Sequence, residues 1–118
     1  MGYIVDARWL KGEHQIHDGA LAVESATETM PPEGRAFAED DVEDLRRSDV
    51  LLSFSEAPRS GKSRGGRHVE FGMALAFSMT RWPPMRLIVV GPRENIFHCL
   101  PQVEVCATWE QAKALLNG

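Results

Sequence analysis

Long hydrophobic runs are missing from this chain of 118 residues, and no stretch approaches the ~20 apolar residues that a membrane-spanning helix needs. The opening Met1-Gly2-Tyr3-Ile4-Val5-Asp6 lacks a basic flank followed by an apolar core, so no secretory leader is expected. Cysteine is scarce: Cys99 and Cys106 are the only two. Without an export signal a disulfide is not expected, and both read as buried free thiols of a cytoplasmic protein. Surplus positive charge is lacking as well. The net charge of −4 argues against general nucleic-acid or membrane-surface binding, while leaving room for a local basic cluster that serves a small anion. The four histidines do not fall into zinc-ligand spacing: His14 and His17 are three apart, His68 stands near the middle, and His98 stands alone. No Gly-x-Ser-x-Gly elbow occurs. Neither a metal nor a cofactor is expected.

What is present is ordinary for one globular domain over residues 1–118: 43% hydrophobic and 25% charged residues. A chain this long can bury a core without metals or disulfides. Tyr3 to Leu10 reads as a first strand between Gly2 and Lys11-Gly12. Residues 13–35 read as loop with helical turns, and Met30-Pro31-Pro32 as a connection. A helix is expected from about Arg35 to Arg47, with Phe37, Ala38, Val42 and Leu45 as its apolar stripe and Glu43 paired to Arg47. Asp49 to Ser55 is apolar without alternation, the pattern of a strand covered on both faces. A helix from about His68 to Met79 is apolar nearly all round and reads as buried. Arg86 to Gly91 is a second buried strand, Val103 to Cys106 a further one, and a last helix opens at Trp109 with Thr108 and Gln111 in capping-box spacing. Alternating strands and helices predict an α/β fold, a Rossmann-like or flavodoxin-like three-layer sandwich with a mostly parallel sheet.

Ligands of such sheets bind beyond the C-terminal strand ends. There the chain carries Glu56 to Arg67, with Arg59, Lys62, Arg64 and Arg67 among Gly61, Gly65 and Gly66. Glycine lets backbone approach an anion closely, and a helix start favours negative charge, so a phosphate or phosphorylated sugar fits. A solvated loop is the plain alternative. The comparison of Gly61-Lys62-Ser63 with a P-loop fails, because Glu56 stands where its first glycine belongs. Glu70 reads as a carboxylate in the first turn of the following helix, kept ionised by the dipole as a nucleophile requires. An ordinary helix-start carboxylate is the alternative. Asp41, at i+4 from Phe37 and i−4 from Leu45, lies along the edge of the apolar stripe, whereas Asp40, Glu43 and Asp44 can turn to water. An inward aspartate needs partners or a pocket. Asp49 reads as a turn residue.

Asp41-x-x-x-Leu45-x-x-x-Asp49-Val50, an apolar strand, and Gly65-Gly66-Arg67-His68-Val69-Glu70-Phe71-Gly72-x-Ala74-Leu75-Ala76 together resemble the nucleoside 2-deoxyribosyltransferase superfamily. This superfamily includes deoxynucleoside monophosphate N-glycosidases and many proteins of phages and mobile elements. The tail Ile88 to His98 is similar to one subgroup, and the resemblance spans roughly residues 36–116. It implies cleavage or exchange of the N-glycosidic bond of a 2′-deoxynucleoside or its 5′-monophosphate. Glu70 would attack the anomeric carbon, Asp41 would assist at the base or sugar, and both would face one hollow. The resemblance further implies sugar or phosphate contacts from Gly65 and Gly66. Arg64, Arg67, His68 and Ser55 complete the expected phosphate and sugar contacts, and Asn95 is a candidate shared with a neighbouring subunit. One departure stands out. Tyr3 to Trp9 aligns with the family's second strand, so the first βα unit is not represented. An uncovered sheet edge would follow, and with it a homo-oligomer, dimer or larger. A non-catalytic nucleotide sensor and an oligomerising scaffold are the competing readings.

Overall fold

The computed structural model describes residues 32–55 and 65–117. The expected first strand, the loop that follows it and most of the Gly-rich segment lie outside the described residues. The chain divides into two compact units, residues 3–47 and residues 48–118.

In the first unit the described part is one helix, α1, Pro32–Arg47. It starts three residues before the expected Arg35, because a proline at the first helical position needs no N–H and brings a helical φ with it. Arg35 pairs with Glu39 at 2.6 Å, and Glu43 takes both Arg46 at 2.7 Å and the expected Arg47 at 3.7 Å. Burial along α1 differs from the expectation. Leu45 is buried, but Ala38 and Val42 are exposed. The buried acid is Asp44, which accepts a hydrogen bond from Arg47 at 3.1 Å, while Asp41 is half-buried. The i+3 reach of Arg47 lets Asp44 stay inward, a partner that a reading of apolar spacing alone overlooks.

The second unit is the α/β fold expected. Strands β1 (Val50–Phe54), β2 (Arg86–Val90) and β3 (Val103–Cys106) form a sheet in the order β1-β2-β3, and both pairings are parallel, with Leu52 beside Ile88 and Val90 beside Cys106. Helix α2 (Gly66–Thr80) connects β1 to β2 and contacts both, and α3 (Trp109–Asn117) packs on β2 and β3. The central strand shows why its sequence is apolar without alternation. Successive side chains of a strand point to opposite faces, and Leu87, Ile88 and Val89 are all fully buried. Ile88 and Val90 form one core with Cys106 and Ala112, against which Val50, Leu52, Leu115 and Leu116 pack. Leu87 and Val89 fill the other face, where α2 buries Phe71 and Ala74. Between β2 and β3, Glu104 accepts from two nitrogens of the Arg86 guanidinium at 2.5 and 2.8 Å. That bond holds the Glu104 carboxyl below the usual range, against the opposing pull of burial.

The Thr108 half of the expected capping box of α3 forms, the Gln111 N–H donating to Thr108 Oγ1 at 3.2 Å, while the Gln111 side chain accepts from the N–H of Ala107, one residue before the cap, at 2.7 Å. Two expectations need correction. Cys106 is buried as expected, but Cys99 is exposed, because it ends a short 3₁₀ turn, Ile96–Cys99, whose inward position is taken by His98. Helix α2 is buried along one face only, leaving Val69 at 63% and Met79 at 70% exposure. Among the described residues no helix is long and apolar enough to cross a membrane.

Candidate functional site

The C-terminal ends of β1 and β2 are joined by Ser55. Its N–H donates to the Val90 carbonyl at 3.0 Å and its hydroxyl to the Pro92 carbonyl at 2.6 Å. This closeness explains Gly91. A Cβ at position 91 would stand 2.5 Å from Ser55 Oγ, and φ there is +120°. Gly91→Ala is therefore expected to destabilise the fold by about 1–3 kcal/mol, read from the shift of a urea unfolding midpoint. A change under a few tenths would mean that Ser55 moves aside freely.

Helix α2 begins at Gly66, after Gly65 in the left-handed conformation at φ 93°. The Gly65 carbonyl accepts from the N–H groups of His68 at 3.0 Å and Val69 at 3.2 Å. The glycine pair thus makes the turn that redirects the chain into the helix, and the earliest N–H groups of a helix have no intrahelical acceptor. Arg64 lies outside the described residues. With the helix starting two residues before the expected His68, Glu70 is its fifth residue, and the first turn holds no acid. The dipole argument for Glu70 weakens accordingly, since that effect fades beyond the first turn. Glu70 is half-buried.

Arg67 and His68 meet an acid that sequence reasoning passed over. Glu94, with its side chain 8% exposed, takes the Arg67 fork through both oxygens, one bond being 2.8 Å, and lies 3.8 Å from His68 Nε2. The backbone N–H of Glu94 donates to His98 Nδ1 at 3.1 Å. His98 is only 2% exposed and meets Phe71 edge-on, at 4.8 Å between ring centroids. Burial is the main cause holding the His98 ring below the usual imidazole range. Arg67 and His68 add to that effect, and Glu94 opposes it. Residue types alone carry no signal of this contact, because it runs through the backbone N–H of Glu94. Among the described residues no three of His, Cys, Asp and Glu gather closely enough for a metal ion.

Asn95 caps the 3₁₀ turn, accepting from the Phe97 N–H at 3.0 Å. It also lines an open groove of ≈310 Å³ with Phe97, His68, Phe71, Gly72 and Leu75. At about 100° per residue, His68, Gly72 and Leu75 share one flank of α2, and Glu70 projects from another. The structure therefore brings together Gly65, Gly66, Arg67, His68 and Asn95 around the start of α2, with Ser55 at the neighbouring strand ends. Glu70 stands one turn along the helix, outside the groove lining. Asp41 belongs to the other unit. Compared with known proteins, the chain matches no family model, no curated protein and no solved structure.

Proposed function

We propose that this protein cleaves or exchanges the N-glycosidic bond of a 2′-deoxynucleoside or its 5′-monophosphate, with Glu70 as nucleophile. The observation that carries this reading is the unit built by β1, the Gly65-Gly66 turn and α2. It supplies a glycine-lined helix start beside the C-terminal strand ends, where ligands of parallel sheets bind, with a half-buried carboxylate one turn further on. In the reaction a Glu70 oxygen bonds to C1′ as the C1′–N bond to the base breaks. The base leaves with the electron pair of that bond and receives a proton from a general acid. Water or a second base then attacks C1′ and frees the carboxylate, giving hydrolysis or transfer. Gly65, Gly66, Arg64, Arg67, His68 and Ser55 are the proposed contacts of sugar and phosphate. Incubating the protein with each deoxynucleoside monophosphate and separating free base by chromatography tests the reading. Base release is the expected result, and an intact nucleotide after prolonged incubation rejects it.

A second reading, a nucleotide-binding module without chemistry, is favoured by the start of α2 at Gly66, which leaves Glu70 beyond the stabilising first turn. Binding of a monophosphate without base release would select it.

A homo-oligomer belongs to the same proposal. Its support is the outer face of α2, where Val69, Gly72, Ala76 and Met79 are exposed without a charged residue among them. A helix apolar all round is normally covered, and a second copy of this chain would cover it. Sedimentation at micromolar concentration is expected to show a dimer or larger species that Met79→Lys dissociates. A monomer at high concentration would contradict it.

A further inference from the structure

The segment from Gly91 to Leu100 is held against α2 by a chain of linked groups. The Arg67 guanidinium of α2 grips the Glu94 carboxylate through both oxygens. The Glu94 N–H in turn donates to His98 Nδ1 at 3.1 Å, and the His98 ring lies edge-on against Phe71 of α2 at 4.8 Å. The same two elements form the walls of the groove, His68, Phe71, Gly72 and Leu75 on one side and Asn95 and Phe97 on the other. Whatever loosens the segment therefore opens the groove.

We infer that His98 is an acid-sensitive latch: its bare Nδ1 pins the Gly91–Leu100 segment to α2, and proton uptake by the ring releases that segment and takes the groove apart. The hydrogen bond fixes the direction of the effect. Nδ1 can accept the Glu94 N–H only while it carries no proton, so a doubly protonated ring sets one N–H against another and the bond is lost. Burial at 2% exposure leaves no water to solvate the new charge. The surroundings are mixed. Arg67 and His68 of α2 disfavour the charge, and the Glu94 carboxylate favours it. That carboxylate is already engaged by Arg67. Strand β3 also packs against the 3₁₀ turn, but its acid Glu104 is held by Arg86, and its Cys106 thiol faces the Val89 carbonyl. The sign follows. The folded ring binds its proton less readily than an unfolded one, whose value is near 6.5. The latch therefore contributes its full stability above that value, and loses it as pH falls through the lower folded value.

Nuclear magnetic resonance of the full chain across about pH 8 to 5 tests the latch, in wild type, His98→Asn and His68→Asn. Asparagine at 98 can offer an oxygen near the position of Nδ1 without titrating. In wild type the amides of Glu94, Phe97 and His98 are expected to shift together, with the midpoint of the His98 ring and below pH 6.5. Above about pH 6.5 the exchange protection of the Glu94 amide is flat, and from there down to the folded midpoint it falls about tenfold per pH unit, while Leu87 to Val90 stay protected. The transition persists in His68→Asn and vanishes in His98→Asn. Should His98→Asn fail to fold, the shared midpoint in wild type still decides. A Glu94 amide that keeps its protection while the His98 ring titrates would overturn the latch. So would a transition that disappears with His68, or a His98 ring that titrates only as the whole chain unfolds.

Discussion

Replacing Glu70 with glutamine is expected to lower base release from the best deoxynucleotide substrate by at least about 10⁴-fold, the scale of loss when a covalent catalyst loses its nucleophile. Glutamine keeps the size of the side chain and one carbonyl oxygen, so the half-buried position on α2 is filled as before. What disappears is the negative charge, the electron pair that bonds to C1′ and the screening of the developing positive charge on the sugar. Binding of the nucleotide should survive, because its proposed contacts are Gly65, Gly66 and their neighbours at the helix start. The variant is thus expected to retain ligand affinity within a few-fold while turnover collapses. A variant with more than a tenth of wild-type turnover would remove Glu70 from the reaction, and loss of affinity alongside turnover would point to a misfolded helix start.

The largest effect on stability is expected from Ile88→Ala. Ile88 is fully buried on the central strand, between Leu52 on β1 and Glu104 on β3, and belongs to the core shared with Val90, Cys106 and Ala112. Truncating a buried isoleucine removes its transfer free energy and leaves a cavity that strands bonded on both sides cannot collapse. The cost is about 2–5 kcal/mol, a large part of the ~5–15 kcal/mol by which a domain is stable. Urea unfolding followed by circular dichroism should show the midpoint fall by that amount. Val69→Ala, at a 63% exposed position of α2, should cost well under 1 kcal/mol in the monomer. Equal costs at the two positions would mean that the buried face of β2 is not the core of this unit.

The elements legible in the sequence were those whose pattern comes from burial. Val50–Phe54, Arg86–Val90 and Val103–Cys106 sit within one residue of their expected bounds, but only Arg86–Val90 is covered on both faces. Val50–Phe54, expected to be buried likewise, is half-buried with Phe54 exposed, because β1 is the edge of the described sheet. Trp109 opens α3 as expected, since its cap is written in local residue types. The start of α2 was harder. Gly65 and Gly66 are poor helix formers, so a reading by propensity begins the helix after them, although the backbone turns at Gly65 and is helical from Gly66. The same two-residue displacement moved Glu70 out of the first turn. The exposure of Val69 and Met79 was beyond reach in another way, since composition tells how apolar a face is and not whether the same chain covers it. Glu94 and His98 escaped because their partnership runs through a backbone N–H, which leaves no trace in residue identity. Asp44 escaped because its partner, Arg47, was already assigned to Glu43.

The proposed chemistry requires a covalent bond between Glu70 and the deoxyribose. Rapid quenching of the protein with a deoxynucleoside monophosphate, followed by intact-mass measurement and peptide mapping, looks for that bond directly. The account predicts a deoxyribosyl adduct on the peptide that carries Glu70, formed as free base appears and absent in Glu70→Gln. Free base appearing with the adduct on another residue, or with none at any quench time, would contradict it.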